Sequence, residues 1–377
     1  MKSTHNKELT NILRNLVQIP TENPPGITKE IVDYLISEVF REEDGFRNEI
    51  ITHKKNNFTL HNLITKVGFG NKKIILSGHF DVVPAGDSSN WKYDPFSAEI
   101  KNNKLYGRGS SDMKGGLTML IGVMKNLKEN ITLLQKYSII FAGTADEEDG
   151  MTGAATLYKH RLLDNAELLI IAEPTDMNIG IAEKGLLWIR LKIYGKAAHG
   201  AMPEKGINSI LAVSNLIPKL YTLLDKESNE ILGSSTLNVG KIIGGTLINV
   251  VPEKTELELD FRLIPEQDPD KLIKRIKNLN IELCNFSFDI LKKLPALQCK
   301  TNHPFIQTLC KISGRNPVGL PYATDAAQLL TQNNKIPFVI FGPGNPQVVH
   351  SIDEYIELDS VFKSTELLTE SILQTYS

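Results

Sequence analysis

Acids and histidines recur in this chain directly behind short apolar runs, a placement that suits metal-assisted chemistry. His79 and Asp81 close the first such run and stand two apart, so on an extended backbone they face the same way. A carboxylate so placed can hydrogen-bond one imidazole nitrogen and fix its tautomer while the other nitrogen holds a metal. A capping Asp beside an incidental His would read the same. Asp112 sits among Gly107, Gly109, Gly115 and Gly116, glycines that permit tight turns and close backbone approach. A helix N-cap is the alternative for Asp112. The glycine spacing matches neither a P-loop nor a dinucleotide fingerprint. Asp146, Glu147, Glu148 and Asp149 follow the apolar run Tyr137 to Ala142. Four successive acids repel one another unless positive charge neutralises them, so a metal accounts for them better than a solvated turn. Glu173 follows the run Glu167 to Ala172, and His350 lies beyond the Gly/Pro loop Phe341 to Pro346.

Together these segments offer two histidines, several carboxylates and no cysteine. Such ligands suit catalytic zinc, or cobalt or manganese in its place, whereas calcium prefers all-oxygen loops. Formal charge favours two ions. Two Zn²⁺ bring four positive charges, and three carboxylate ligands with one bridging hydroxide bring four negative. A carboxylate is then left over to act as a base.

The elements that must position these residues read as two kinds. Helical spacing covers Lys7 to Val17, and a second amphipathic helix spans about Thr28 to Phe40. Strands are expected at Asn62–Val67, Lys73–Ser77, Tyr137–Ala142 and Glu167–Ala172, with a helix over Met113–Asn130. The short, continuously apolar strands suit a buried, mostly parallel sheet. Strands alternating with helices argue an α/β layer architecture. After about Gly180 the pattern changes. Leu186–Tyr194 and Thr255–Leu263 partly alternate, as an antiparallel sheet with one wet face would, and helices are expected over Gly206–Leu224 and Lys271–Asn278. From Thr301 the α/β rhythm returns, with a strand at Phe338–Phe341. The expected organisation is a catalytic domain over 1–182 and 294–377, interrupted by a smaller α+β domain over 183–293.

Bulk properties narrow the function class. The chain has 377 residues, 41% hydrophobic and 23% charged, with net charge -2. That length favours two domains over one core. No charge extreme points to nucleic acid or an anionic membrane. The polar N-terminus carries no apolar signal region, and no apolar run nears the roughly 20 residues that span a bilayer. Cys284, Cys299 and Cys310 are too few for a disulfide framework, so a reducing, cytoplasmic setting is expected.

The ordered motifs resemble the M20 family of metallopeptidases and amidohydrolases over nearly the whole chain. They run from Gly78–Gly86 through Trp91–Gly116, the acids at Asp146–Asp149 and Glu173-Pro174-Thr175. They continue through Lys196–Ile210, Gly244–Arg262 and Phe341–Leu358. The resemblance implies a zinc-peptidase-like α/β catalytic domain with an inserted, ferredoxin-like α+β domain that serves as lid and dimer interface. It implies that His79 and Glu173 hold one zinc, Glu148 and His350 the other, and that Asp112 bridges both, with a cis peptide at Asp112-Met113. Asp81 matches the carboxylate that orients the first histidine, and Glu147 the general base that serves a metal-activated water. His199 matches a histidine of the small domain that reaches the partner subunit's site and stabilises an oxyanion. Asn249, Arg262 and Gly344 match substrate-binding positions, the guanidinium taking a carboxylate. Without the resemblance, His199 reads as a surface-turn histidine and Arg262 as an exposed structural one.

The implied activity is removal of an N-acyl group from a small amino-acid metabolite, with a homodimer and no nucleic-acid or membrane partner. N-Succinyl-LL-2,6-diaminopimelate is the first expectation and N-acetylornithine the second. A dipeptidase on the same scaffold, and a metal-free binding relative, complete the alternatives. A succinyl group would need a cation, for which Lys184 is a candidate. The segment Glu183–Leu187 lacks the paired arginines of better-defined desuccinylases. Asp325 matches a recurrent family segment.

Overall fold

The computed structural model describes residues 2–281, 283–330 and 336–377. The chain divides into two compact units: one of residues 1–181, 299–318 and 324–377, the other of residues 182–298 and 319–323. The insertion thus runs to Gln298 and is joined by a short later segment.

The first unit is built on a mixed sheet. Among its strands, in spatial order, are Arg47–Lys55, Phe58–Val67, Tyr137–Thr144, Lys72–His79, Ala166–Ile171, Phe338–Ile340 and, up to Ile181, Ile179–Glu183. Lys72–His79 pairs in parallel with both neighbours, and Ala166–Ile171 pairs in parallel with Phe338–Ile340. The outer pairs are antiparallel. Ile74 to His79 are all buried, which is why this strand reads as a continuous apolar run. The edge strand Arg47–Lys55 has a single buried residue, Ile51, and so carries too little alternation to be read from sequence.

The helix Gly115–Lys128 is buried on nearly every side. It lies against the sheet strands and against two terminal helices, Lys2–Gln18 and Leu358–Tyr376. An apolar stripe all the way round is what such a sandwiched helix needs. Its start comes later than the expected Met113, because Asp112 (φ -122°, ψ 95°) and Met113 (φ -130°, ψ 32°) are not helical. The peptide joining them is cis, as the family resemblance implied. The second helix is also shorter than its apolar pattern suggests: Lys29–Tyr34 gives way to a π-turn at Leu35–Val39.

The second unit has the β-α-β-β-α-β order of a ferredoxin-like fold. Its sheet runs Thr236–Gly244, Lys254–Leu263, Gly185–Tyr194, Asn285–Leu294, every neighbour antiparallel. Leu187, Ile189, Leu191 and Ile193 alternate inward with Leu257, Leu259, Phe261 and Leu263, and Leu216 and Leu272 of the two helices close over them. Asn208 and Asp268 cap those helices, each accepting two backbone N–H groups. Where the chain leaves and re-enters the first unit, the flanks meet: Cys299 N donates to Ile181 O at 2.7 Å. Within the insertion, Gln298 pairs with Ala182 and Leu297 with Glu183. Among the described residues, no helix is long and apolar enough to cross a membrane.

Candidate metal centre

Parallel pairing delivers the acids and histidines to one edge of the sheet. His79 ends its strand opposite Thr144, and Ser77 lies opposite Ile171. The segments that leave those neighbouring strands therefore carry Glu147, Glu148 and Glu173 past the same strand ends, where open α/β sheets build sites. Asp112 arrives from the turn before the helix Gly115–Lys128. That helix start is pressed so close to the Glu173 segment that a Cβ on Gly116 would stand 2.0 Å from Ala172 O. His350 comes from the loop after Phe338–Ile340, with φ +58°, and is about half exposed.

Two triads result. His79, Asp112 and Glu173 form one; Asp112, Glu148 and His350 form the other. In each, the candidate ligand atoms lie within 4.8 Å of one another. Asp112 belongs to both through different oxygens. Its Oδ1 is 3.2 Å from His79 Nε2, and its Oδ2 is 3.3 Å from His350 Nε2. Glu173 Oε1 is 3.8 Å from His79 Nε2, and Glu148 Oε2 is 3.2 Å from His350 Nε2. Two imidazoles and three carboxylates without a thiolate make a donor set that fits a pair of divalent zinc-like ions.

Charge is finely balanced here. Burial and the nearby Glu173 push the Glu147 carboxyl well above the usual range. Burial does the same to Glu173, which His79 pulls back and Asp112 reinforces. Burial, then Asp112, raises Glu148. Burial disfavours charge on Asp112 too, but hydrogen bonds from His350 and His79 outweigh it and hold that carboxyl low. His79 is fully buried, which opposes protonation, yet its bond to Asp112 and the field of Glu173 raise it well above the usual value. Hydrogen bonds to Asp112 and Glu148 push His350 up to about 10.

Asp81 contacts His79 through a different atom from the one the sequence suggested. Its backbone carbonyl stands 2.8 Å from His79 Nδ1, while its carboxylate is 3.9 Å away. A carbonyl can only accept, so Nδ1 carries the hydrogen and Nε2 is left as a ligand atom. The carboxylate accepts instead from Glu147 N at 3.0 Å, Glu148 N at 3.1 Å and Asn23 Nδ2 at 2.8 Å. Asn23 also donates to Asp146, which Lys55 pairs with in turn. Asp325 is buried and accepts from Thr144 Oγ1 at 2.5 Å, just where the acidic turn begins.

The remaining sequence-derived residues lie as follows. Gly344 is wedged where a Cβ would meet Ser111 O at 2.3 Å. His199 and Asn249, distant in sequence, fall on paired segments of the second unit: Gly200 N donates to Asn249 O at 2.7 Å, and His199 bridges Val250. Ala201 N donates to His199 Nδ1 at 3.0 Å. Arg262 projects from the sheet face away from the helices and pairs with Asp260 at 2.9 Å. Lys184 is mostly buried, its Nζ donating to Ser234 O at 2.6 Å.

Three buried residues around the centre escaped sequence reasoning: Asn23, Lys114 and Glu354. Burial pushes the Lys114 ammonium down to about 7, against the pull of Glu354, Asp81 and Glu22, and its Nζ donates to Ile19 O at 2.8 Å. Glu354 accepts from the backbone at Ser111 and Asp112. Lys114 flanks Asp112 and Glu354 follows His350 by one helical turn's spacing, but only the folded chain shows what they touch.

The chain is similar to known proteins in sequence and in fold. The sequence pattern of peptidase family M20/M25/M40 matches residues 75–374. A probable succinyl-diaminopimelate desuccinylase of Staphylococcus aureus strain MRSA252 is 33% identical, covering 99% of each chain. An acetylornithine deacetylase of Buchnera aphidicola is 30% identical, covering 96% of each. The crystal structure of an M20 family metallo-carboxypeptidase from Sulfolobus solfataricus superposes with a TM-score of 0.79 at 21% identity, covering 98% of this chain and 99% of that one. With most of its length matched to the family pattern and near full-length relatives at this identity, the chain belongs to peptidase family M20/M25/M40.

Proposed function

We propose that this protein is a two-metal amidohydrolase that removes an N-acyl group from an amino-acid metabolite, with N-succinyl-LL-2,6-diaminopimelate as its substrate. The observation that carries the reading is the shared Asp112 carboxylate, whose two oxygens serve two separate histidine–carboxylate triads. His79 and Glu173 would hold one ion, Glu148 and His350 the other, and Asp112 would bridge. Zinc is the ion of choice, with cobalt or manganese able to replace it. What the ions supply is Lewis acidity, toward a water and toward the acyl carbonyl.

This chain's own residues do the rest. Glu147 is the acid beside Glu148 that neither triad uses; it takes a proton from the attacking water and returns it to the leaving nitrogen. Asp81 fixes the backbone of that acid and, through its carbonyl, the tautomer of His79. His199, with Nδ1 occupied as an acceptor, has Nε2–H to donate to an oxyanion. Arg262 would exchange Asp260 for a substrate carboxylate, with Asn249 and the Gly344 backbone as further substrate contacts. The second unit would also pair two chains as a homodimer. Its edge strand Thr236–Gly244 exposes Ile242 and Ile243, close in sequence to the exposed Leu247 and Ile248. Three unpaired cysteines support a reducing, cytoplasmic setting.

Lys184 favours a second reading. Its ammonium is already bonded to Ser234 O and burial lowers its pKa, so it is a poor partner for a succinyl carboxylate. An acetyl group needs no such partner, and N-acetylornithine is the alternative substrate. The test is turnover of N-succinyl-diaminopimelate, N-acetylornithine and a dipeptide panel by the full chain with added Zn²⁺ or Co²⁺. Faster cleavage of the succinyl compound is expected; cleavage of dipeptides alone would overturn both deacylase readings.

A further inference from the structure

We infer that Glu354 is a positioning residue for the metal-bridging carboxylate: held by Arg108, it fixes the backbone at Asp112 and ties to it the segment that carries His350. The inference rests on the two-metal reading above. Glu354 is fully buried and Arg108 is 3% exposed. One carboxylate oxygen, Oε1, accepts from Ser111 N at 2.8 Å and from Asp112 N at 3.1 Å. The other, Oε2, accepts from Arg108 Nη1 at 2.6 Å. Arg108 Nη1 also donates to Ser351 O at 3.2 Å, and its guanidinium lies 5.1 Å above the Trp91 ring. The Glu354 carbonyl accepts from Gly107 N at 2.9 Å, so backbone and side chain hold the same turn.

The geometry says why a carboxylate is required. Asp112 and Met113 are not helical, so the regular helical ladder does not supply acceptors for this turn. A buried N–H without an acceptor is costly, and Glu354 provides one oxygen for two successive N–H groups. Two N–H groups aimed at one atom set the peptide planes on either side of Ser111 and thereby the direction of the Asp112 side chain. Among the described residues, the hydrogen-bond partners of the Glu354 carboxylate are all donors, so the side chain must be acceptor-only, which glutamine is not. A buried ion pair adds little to stability beyond a well-packed apolar pair, so its use here is better explained by the geometry it imposes. Glu354 follows His350 closely in the chain. The anchor therefore joins the bridging ligand to one of the two histidines it bridges.

The test uses the full chain and Co²⁺ alone as probe, followed by titration calorimetry and visible absorption. Glu354→Gln keeps the volume but brings an NH₂ among donors. Arg108 takes the single amide oxygen and the NH₂ faces the two N–H groups. Co²⁺ binding is expected to weaken 10- to 100-fold, the range for removing partners that orient metal ligands, with a changed absorption envelope and an unchanged far-UV spectrum. Arg108→Met in the same chain removes the competing cation and lets the amide oxygen turn to Ser111 and Asp112. The double variant should then bind Co²⁺ more tightly than the single one, a coupling that general loss of stability does not produce. Wild-type affinity and absorption in folded Glu354→Gln, or weaker binding in the double variant than in the single, would overturn the inference. Should Glu354→Gln fail to fold, the double variant decides: near-wild-type Co²⁺ binding supports the anchor and weakened binding refutes it. Asp112→Ala separates the two levels. If it still binds two Co²⁺ ions as the parent does, Asp112 is not the shared ligand, and the reading of the site on which the inference rests fails. If it loses them while Glu354→Gln binds normally, only the role of Glu354 fails.

Discussion

Two imidazoles facing opposite oxygens of Asp112 narrow the choice of proton carrier, because the triads use Glu148 and Glu173 and leave Glu147 over. Glu147→Ala should lower turnover by about 10²- to 10⁴-fold, the usual worth of a general acid–base group, while metal content stays near that of the parent. Elemental analysis beside a turnover assay checks this, and full activity in the variant would refute the assignment. The residue types of this centre were legible because like charges stacked behind apolar strands demand an explanation. The choice of atom was not. Sequence spacing put the Asp81 carboxylate on His79, yet the backbone carbonyl reaches the ring and the carboxylate turns to Glu147 and Glu148. Glu354 was invisible for a related reason: it meets Ser111 across 243 positions, and no local pattern encodes such a contact.

At the level of strands and helices, the centre depends on how closely the helix Gly115–Lys128 approaches the Glu173 segment. Gly116→Ala would drive a methyl group against Ala172 O, which is backbone and cannot swing away. Overpacking of this kind typically costs about 1–3 kcal/mol. The variant should therefore show a lower Tm and weaker metal binding together; an unchanged Tm would mean the helix start can shift freely. Central strands such as Lys72–His79 were readable from their continuous apolar runs. The edge strand Arg47–Lys55 was not, since it buries only Ile51. The expected helix from Met113 began late because the turn at Asp112 is shaped by its anchors, not by helix propensity.

For the molecule as a whole, protonation and stability are linked through the centre. His350 is raised to about 10 in the folded metal-free chain, above its ordinary value near 6.5. Its contribution is fully present below about pH 6.5 and is lost as pH rises through about 10. His79 is raised in the same sense. Glu147 and Glu173, whose folded values are also raised, likewise favour the fold less once pH passes their ordinary range. Lys114, pushed down to about 7, works in the opposite sense over this window, so the contribution of His350 is read as a difference. Calorimetry of the metal-free proteins should show the Tm of the parent exceeding that of His350→Ala most at about pH 6.5 and least near pH 10. A difference that stays flat or grows over that window would contradict this. If the exposed Ile242, Ile243, Leu247 and Ile248 cover one another in a pair, sedimentation equilibrium should return the mass of two chains. The value should move toward one chain in Ile243→Lys; a wild-type protein that sediments as a single chain would exclude the homodimer.

The two-unit organisation showed in the sequence as a switch from continuous to alternating apolar runs. The return of residues 319–323 to the second unit left no such trace, because a few residues carry no period. The meeting of Cys299 with Ile181 has a consequence for how such a chain can be assembled. For the first unit, the long excursion between those residues acts as a bridge over a gap of one hydrogen bond. If the inserted unit folds with its own ends paired, the entropy of closing that excursion is met inside the insertion, and the sheet around the metal centre is asked to close only a short turn. The junction is in effect a socket. Units with adjacent termini could be exchanged there while the two triads stay as they are.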